Sequence, residues 1–98
     1  MIPLSPRAKR QIDGLQRHFL RKERPEAARN LIAALHEALE RIERNPDAGI
    51  AAPRPYPHLG RPRWAWIKVG RYWFGYVRDP EPMIGVIFYD TADIPGRF

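Results

Sequence analysis

Ninety-eight residues with 44% apolar content suit one small domain, residues 1–98, with a core of modest size. The absence of cysteine excludes a disulfide framework and thiolate metal sites, and points to a reducing compartment. A formal net charge of +6 and a pI near 10.3 favour an acidic partner, nucleic acid or an acidic protein segment, although a merely soluble basic domain has the same balance.

His18, His36 and His58 lie far apart and lack the i, i+4 spacing of a helical zinc pair, so neither metal nor cofactor is expected. No apolar run approaches the ~20 residues that span a bilayer. Arg7, Lys9 and Arg10 interrupt the N-terminus before a signal-peptide pattern can form. The expectation is a soluble, cytoplasmic chain without membrane contact.

Residues 1–4 are long enough only for a short strand, and Pro3, which cannot donate to a ladder, restricts it to an edge. Ser5-Pro6 reads as an N-cap followed by proline at the first helical position. Ala8, Ile12, Leu15 and Phe19 then form one apolar stripe of a helix over about 5–22. Arg7, Lys9, Arg10, Asp13 and Arg17 take the other side. Gly14 lowers helix propensity by roughly 1 kcal/mol against alanine unless close packing needs it. Glu23-Arg24-Pro25 breaks the pattern, and a second helix starts near Pro25 with the stripe Ala28, Leu31, Ile32, Leu35, Leu39 and Ile42. Glu37–Arg41 and Glu40–Arg44 are solvent-side i, i+4 pairs on it. So short a link between amphipathic helices predicts an antiparallel hairpin.

From Asn45 to Pro62 the composition shifts to Pro46, Pro53, Pro55, Pro57 and Pro62 with Gly49 and Gly60. Such a segment is a stiff, extended connection from helix to sheet, or a polyproline ligand for another module. After it come aromatic and β-branched runs divided by turn residues, which predict an antiparallel meander of strands at 63–69, 71–78 and 83–89. Period two puts Ala65, Ile67 and Val69 on one face with Tyr72, Phe74 and Tyr76. That face is the core side, under the helices. The last strand is apolar on both faces, which suits a central position.

The second face carries Arg63, Trp64, Trp66, Lys68, Arg71 and Trp73. A tryptophan stripe is often core, but helices cover only one face of a sheet, so an aromatic and basic patch is expected to stay exposed and bind a partner.

The order strand, helix, helix, proline-containing loop, three strands resembles the RelE/ParE superfamily of type II toxin–antitoxin toxins. The similarity rests on Leu4-Ser5-Pro6 before a basic amphipathic helix, Asn45-Pro46 with Gly49, Val69-Gly70-Arg71-Tyr72 followed by Tyr76, and Asp93-Ile94-Pro95. The paired helices and the Val-Gly-Arg-Tyr turn look more like the ParE branch. The implied fold class is α+β, a helical hairpin on one face of a small antiparallel sheet in the order β-α-α-β-β-β. The implied function is growth inhibition by binding DNA gyrase, neutralised by a cognate acidic antitoxin in a hetero-oligomer.

The chain departs from the family at Tyr89-Asp90-Thr91-Ala92-Asp93, where a His-Gly-x-Arg-Asp pattern is common. The alternative is a RelE-like, ribosome-dependent mRNA endonuclease, with Arg61, Lys68, Arg71, Arg78 and Tyr89 supplying cations and a proton-transfer group. Tyrosine titrates near 10, so Tyr89 as a base needs a large shift; its other role is a packed strand-end aromatic. A third reading is a degenerate, non-toxic member kept for antitoxin binding or autoregulation.

Overall fold

A computed structural model describes residues 2–53, 57–60, 62–78 and 81–89. Arg61 and the stretch from Asp90 onward, with Asp93-Ile94-Pro95, lie outside the described residues. The elements are helices α1 (Pro6–Arg21) and α2 (Pro25–Arg44) and strands β1 (Trp64–Val69), β2 (Tyr72–Val77) and β3 (Met83–Tyr89). This is the expected α+β arrangement, with both helices on one face of the sheet.

α1 begins where its cap dictates. The Ser5 hydroxyl accepts from the Ala8 amide at 3.0 Å, and Pro6 needs no partner for a missing N–H. Ala8, Ile12 and Phe19 are buried as their spacing requires. Glu23 turns the chain at φ 54, a left-handed conformation that is unfavourable for a residue with a Cβ. α2 then runs back antiparallel, burying Leu31, Ala34, Leu35, Ala38 and Ile42. Its stripe is rotated from the expected one: Ala34 and Ala38 face inward, while Ala28, Ile32 and Leu39 are half-buried. Small side chains there let the helix backbone approach its neighbours closely. The Glu37–Arg41 and Glu40–Arg44 pairs form at 2.7 and 3.7 Å on the outer side.

The sheet order is β1-β2-β3, both pairings antiparallel, so β2 is central and the expectation of a central β3 is corrected. β3 is apolar on both faces because both are covered, and its outer edge is sealed by the N-terminal segment. The Ile84 amide donates to the Pro3 carbonyl at 3.1 Å and the Ser5 amide to the Ile84 carbonyl at 2.8 Å. The Ser5 hydroxyl donates to the Gly85 carbonyl at 2.7 Å, and the Ile87 amide donates to Gln11 Oε1 at 2.9 Å. In place of the expected short strand, residues 2–4 contribute a single parallel bridge, Leu4 to Ile84. Where Ile84, Gly85 and Ile87 are engaged in this way, the edge offers no template for stray pairing.

α1 lies against β3, and α2 against β1 and β2. Phe74, Tyr76 and Ile84 have no solvent exposure and form the centre of the core beneath the helices. Gly70 closes the β1–β2 turn at φ 60, the left-handed backbone a tight hairpin requires.

Candidate functional site

Period two assigns the second face correctly, but that face is not open. Trp66 and Trp73 are 4% and 5% exposed and form a second cluster with Phe88, against which Ile50, Leu59 and Val86 pack. The expectation of an exposed tryptophan patch at Trp66 and Trp73 is corrected. The described parts of the proline-rich segment supply the cover that the helices cannot. Ile50 and Trp66 exchange two backbone hydrogen bonds of 2.8 Å, which fixes the segment along the free edge of β1. Pro53 is fully buried, and the segment includes short 3-10 turns at Pro46–Ala48 and Pro57–Leu59.

Two glycines make room for the rings. A Cβ at Gly75 would sit 2.8 Å from the Trp66 ring, and one at Gly85 would collide with the Trp64 ring. The two tryptophan side chains thus lie across the sheet, their ring centroids 6.2 Å apart and nearly parallel. Trp66 also meets Phe88 at 6.0 Å, and the Lys68 ammonium stands 6.0 Å from the Trp73 ring centroid. The indole N–H groups of Trp66 and Trp73 are buried and find no hydrogen-bond partner among the described residues.

Tyr76 holds the start of the covering segment from below. Its hydroxyl donates to the Pro46 carbonyl at 2.6 Å and accepts from the Gly49 amide at 3.0 Å, while the ring is fully buried. Burial is the leading cause that pushes the phenol pKa up, partly offset by the Gly49 amide. Tyr76→Phe leaves a donor and an acceptor of the 46–49 turn unpaired, so a loss of about 1–3 kcal/mol is expected in urea unfolding. A change under about 0.5 kcal/mol would show that the turn is held by other contacts.

At the β1–β2 turn, Arg71 Nη1 donates to the Tyr89 hydroxyl at 3.2 Å. Tyr89 is half-buried and meets Tyr72 edge-on, with centroids 5.3 Å apart. Desolvation, reinforced by neighbouring Tyr89, pushes the Tyr72 phenol up to about 12. This corner lines one side of a groove of about 810 Å³, whose other wall is the α1–α2 turn with Phe19, Glu23, Arg24 and Asn30. Arg24 stands over Phe19, 5.8 Å from the ring centroid. Phe19 and Arg24 had no signal as groove residues, because only the hairpin brings them opposite Arg71 and Tyr89.

The remaining candidates do not converge. Arg63 (φ 70) is exposed where the chain enters β1, and Trp64 is half-buried beside it. Lys68 pairs with Trp73 across the second face, whereas Tyr89 packs with the core under the helices. Arg71 and Arg78 flank opposite ends of β2, about 23 Å apart by strand rise. Arg78 is drawn to Asp47 at 3.4 Å on the covering segment. Among the described residues no group of His, Asp and Glu is placed to hold a metal ion, and no helix is long and apolar enough to cross a membrane.

Comparison with known proteins agrees with the geometry. A search of curated proteins gives no match. A family model described as the ParE toxin of the type II toxin–antitoxin system, parDE, matches residues 2–88, which takes in α1, α2, the proline-rich segment and nearly all of the sheet. On that match, joined to the two-helix, three-strand architecture, the chain belongs to the ParE toxin family of type II toxin–antitoxin systems.

Proposed function

We propose that the chain inhibits growth in the cytoplasm by binding a cellular target, DNA gyrase by family resemblance, and is silenced by a cognate acidic antitoxin in a hetero-oligomer. The observation that carries a binding mode of action is the scatter of the groups an RNA-cleaving site would need. Lys68 and Tyr89 serve opposite faces of the sheet and Arg78 is engaged with Asp47, so among the described candidates Arg71 alone is seen to reach Tyr89. Cleavage at a ribose 2′-OH needs an acid, a base and cations around one phosphorus, within hydrogen-bond reach of it.

The antitoxin's surface includes exposed Arg63 and Lys68 and half-buried Trp64, with Trp66 and Trp73 beneath Trp64 and Lys68. It reaches exposed Arg71 at the β1–β2 corner, whose side chain turns away from the second face toward Tyr89. Acidic side chains of a segment that orders on binding complement these cations. Titrating the antitoxin encoded beside this chain against the Lys68→Ala/Arg71→Ala variant, at two salt concentrations, tests this placement. The expected result is association slowed severalfold at low salt, with the difference shrinking at high salt. Unchanged association at both salts would place the antitoxin elsewhere. For the mode of action, Tyr89→Phe is expected to leave growth inhibition intact; loss of inhibition in a folded Tyr89→Phe protein would favour the ribosome-dependent endonuclease.

A further inference from the structure

α1 carries a feature that neither the fold nor the sheet surface uses. It contains five basic residues against one acid, Asp13, although the whole chain is only +6. Four of these, Arg7, Arg10, Arg17 and Arg21, recur at helical spacing and fall within an outward arc of about 80°. The buried stripe of Ala8, Ile12 and Phe19 faces the opposite way, against the sheet, so the arginines cannot turn inward. All four are exposed, and none forms an ion pair among the described residues.

Gly14 lies in the middle of this arc. A side chain at Gly14 would meet nothing within 4 Å among the described residues, so no packing against them requires a glycine there. The helix thus keeps a residue that costs it about 1 kcal/mol against alanine, at the one place where a partner lying along the arginines would come closest. From Arg7 to Arg21 the ladder runs about 21 Å, with an arginine-free interval of about 10 Å between Arg10 and Arg17. That interval approaches the roughly 12 Å width of the major groove.

We infer that the arginine ladder of α1 is a docking surface for the phosphate backbone of duplex DNA, with paired arginines on either side of Gly14 meeting phosphates across a groove. Duplex is favoured over single strands because single strands are gripped by aromatic stacking platforms. The exposed face of α1 offers no aromatic ring beyond His18, and Trp66 and Trp73 are buried. Recognition through phosphates alone is independent of base sequence. The inference does not depend on which cellular target the toxin takes.

The test is fluorescence anisotropy with the full chain and a labelled duplex of arbitrary sequence and about two helical turns. The salt range is about 50 to 200 mM. Four phosphate contacts predict a slope of log K against log salt of about −3 to −4. Arg10→Ala/Arg17→Ala should flatten the slope by about 2 and weaken binding about tenfold or more at low salt. Gly14→Glu, which has open space and retains all four arginines, should also weaken binding severalfold. Arg29→Ala/Arg44→Ala on α2 should leave the slope unchanged, and circular dichroism establishes that each variant is folded. An unaltered slope in Arg10→Ala/Arg17→Ala overturns the assignment, as does tighter binding of the single strand or of polyglutamate than of the duplex.

Discussion

Trp66→Ala is expected to lower the stability of the chain by about 3–5 kcal/mol, a large part of the 5–15 kcal/mol typical of a whole domain. The residue is 4% exposed, touches Trp64 and Phe88, and shares a two-bond bridge with Ile50. Truncation empties the space between sheet and covering segment. The ring's close approach to Gly75 is lost at the same time. For a chain of this size the melting temperature should fall by more than about 10 °C. A melt within about 2 °C of the parent would mean that the proline-rich segment does not rest on Trp66 in solution. The same result bears on partner studies, because weaker antitoxin binding by Trp66→Ala would first reflect damage to the fold.

Leu35→Ala is expected to cost about 2–5 kcal/mol, whereas Arg29→Ala on the same helix should cost under about 0.5 kcal/mol. Leu35 is 8% exposed within the main core, and Arg29 is exposed. A cavity between helix and sheet cannot collapse easily, because α2 is held at one end by its turn with α1 and at the other by the Asn45 cap. Paired urea denaturation curves measure both variants. Similar losses at the two positions would mean that α2 presents another face to the sheet.

Much of the architecture was legible because local signals agree with tertiary needs. Ser5-Pro6 starts a helix by satisfying its first amides, and Gly70 permits the left-handed turn between β1 and β2. Ile67, Val69 and Phe74 select the face that meets the helices. The position of β3 was not legible: two-sided apolarity looks the same for a central strand and for an edge strand whose edge is sealed. The seal comes from Ser5 and Gln11, residues remote in sequence whose side-chain bonds to β3 have no local signature.

The second face misled for a related reason. Prolines made 45–62 read as a connection, yet Ile50 and Leu59 are apolar residues within it, and packing them down is what covers Trp66 and Trp73. Those apolar residues were the available signal. The Arg71–Tyr89 contact and the groove opposite Arg24 depend on how the hairpin sits over the sheet, which periodicity along one element does not specify.

We propose that this ParE-family chain acts by binding gyrase rather than by cutting RNA. The most direct measurement is negative supercoiling of relaxed plasmid by purified gyrase with increasing amounts of the purified chain, alongside ribosomes translating a defined mRNA. The expected result is inhibited supercoiling or accumulation of cleaved plasmid, relieved by prior addition of the antitoxin, with the mRNA intact. Unimpaired supercoiling together with antitoxin-sensitive cuts in the translated mRNA would contradict it.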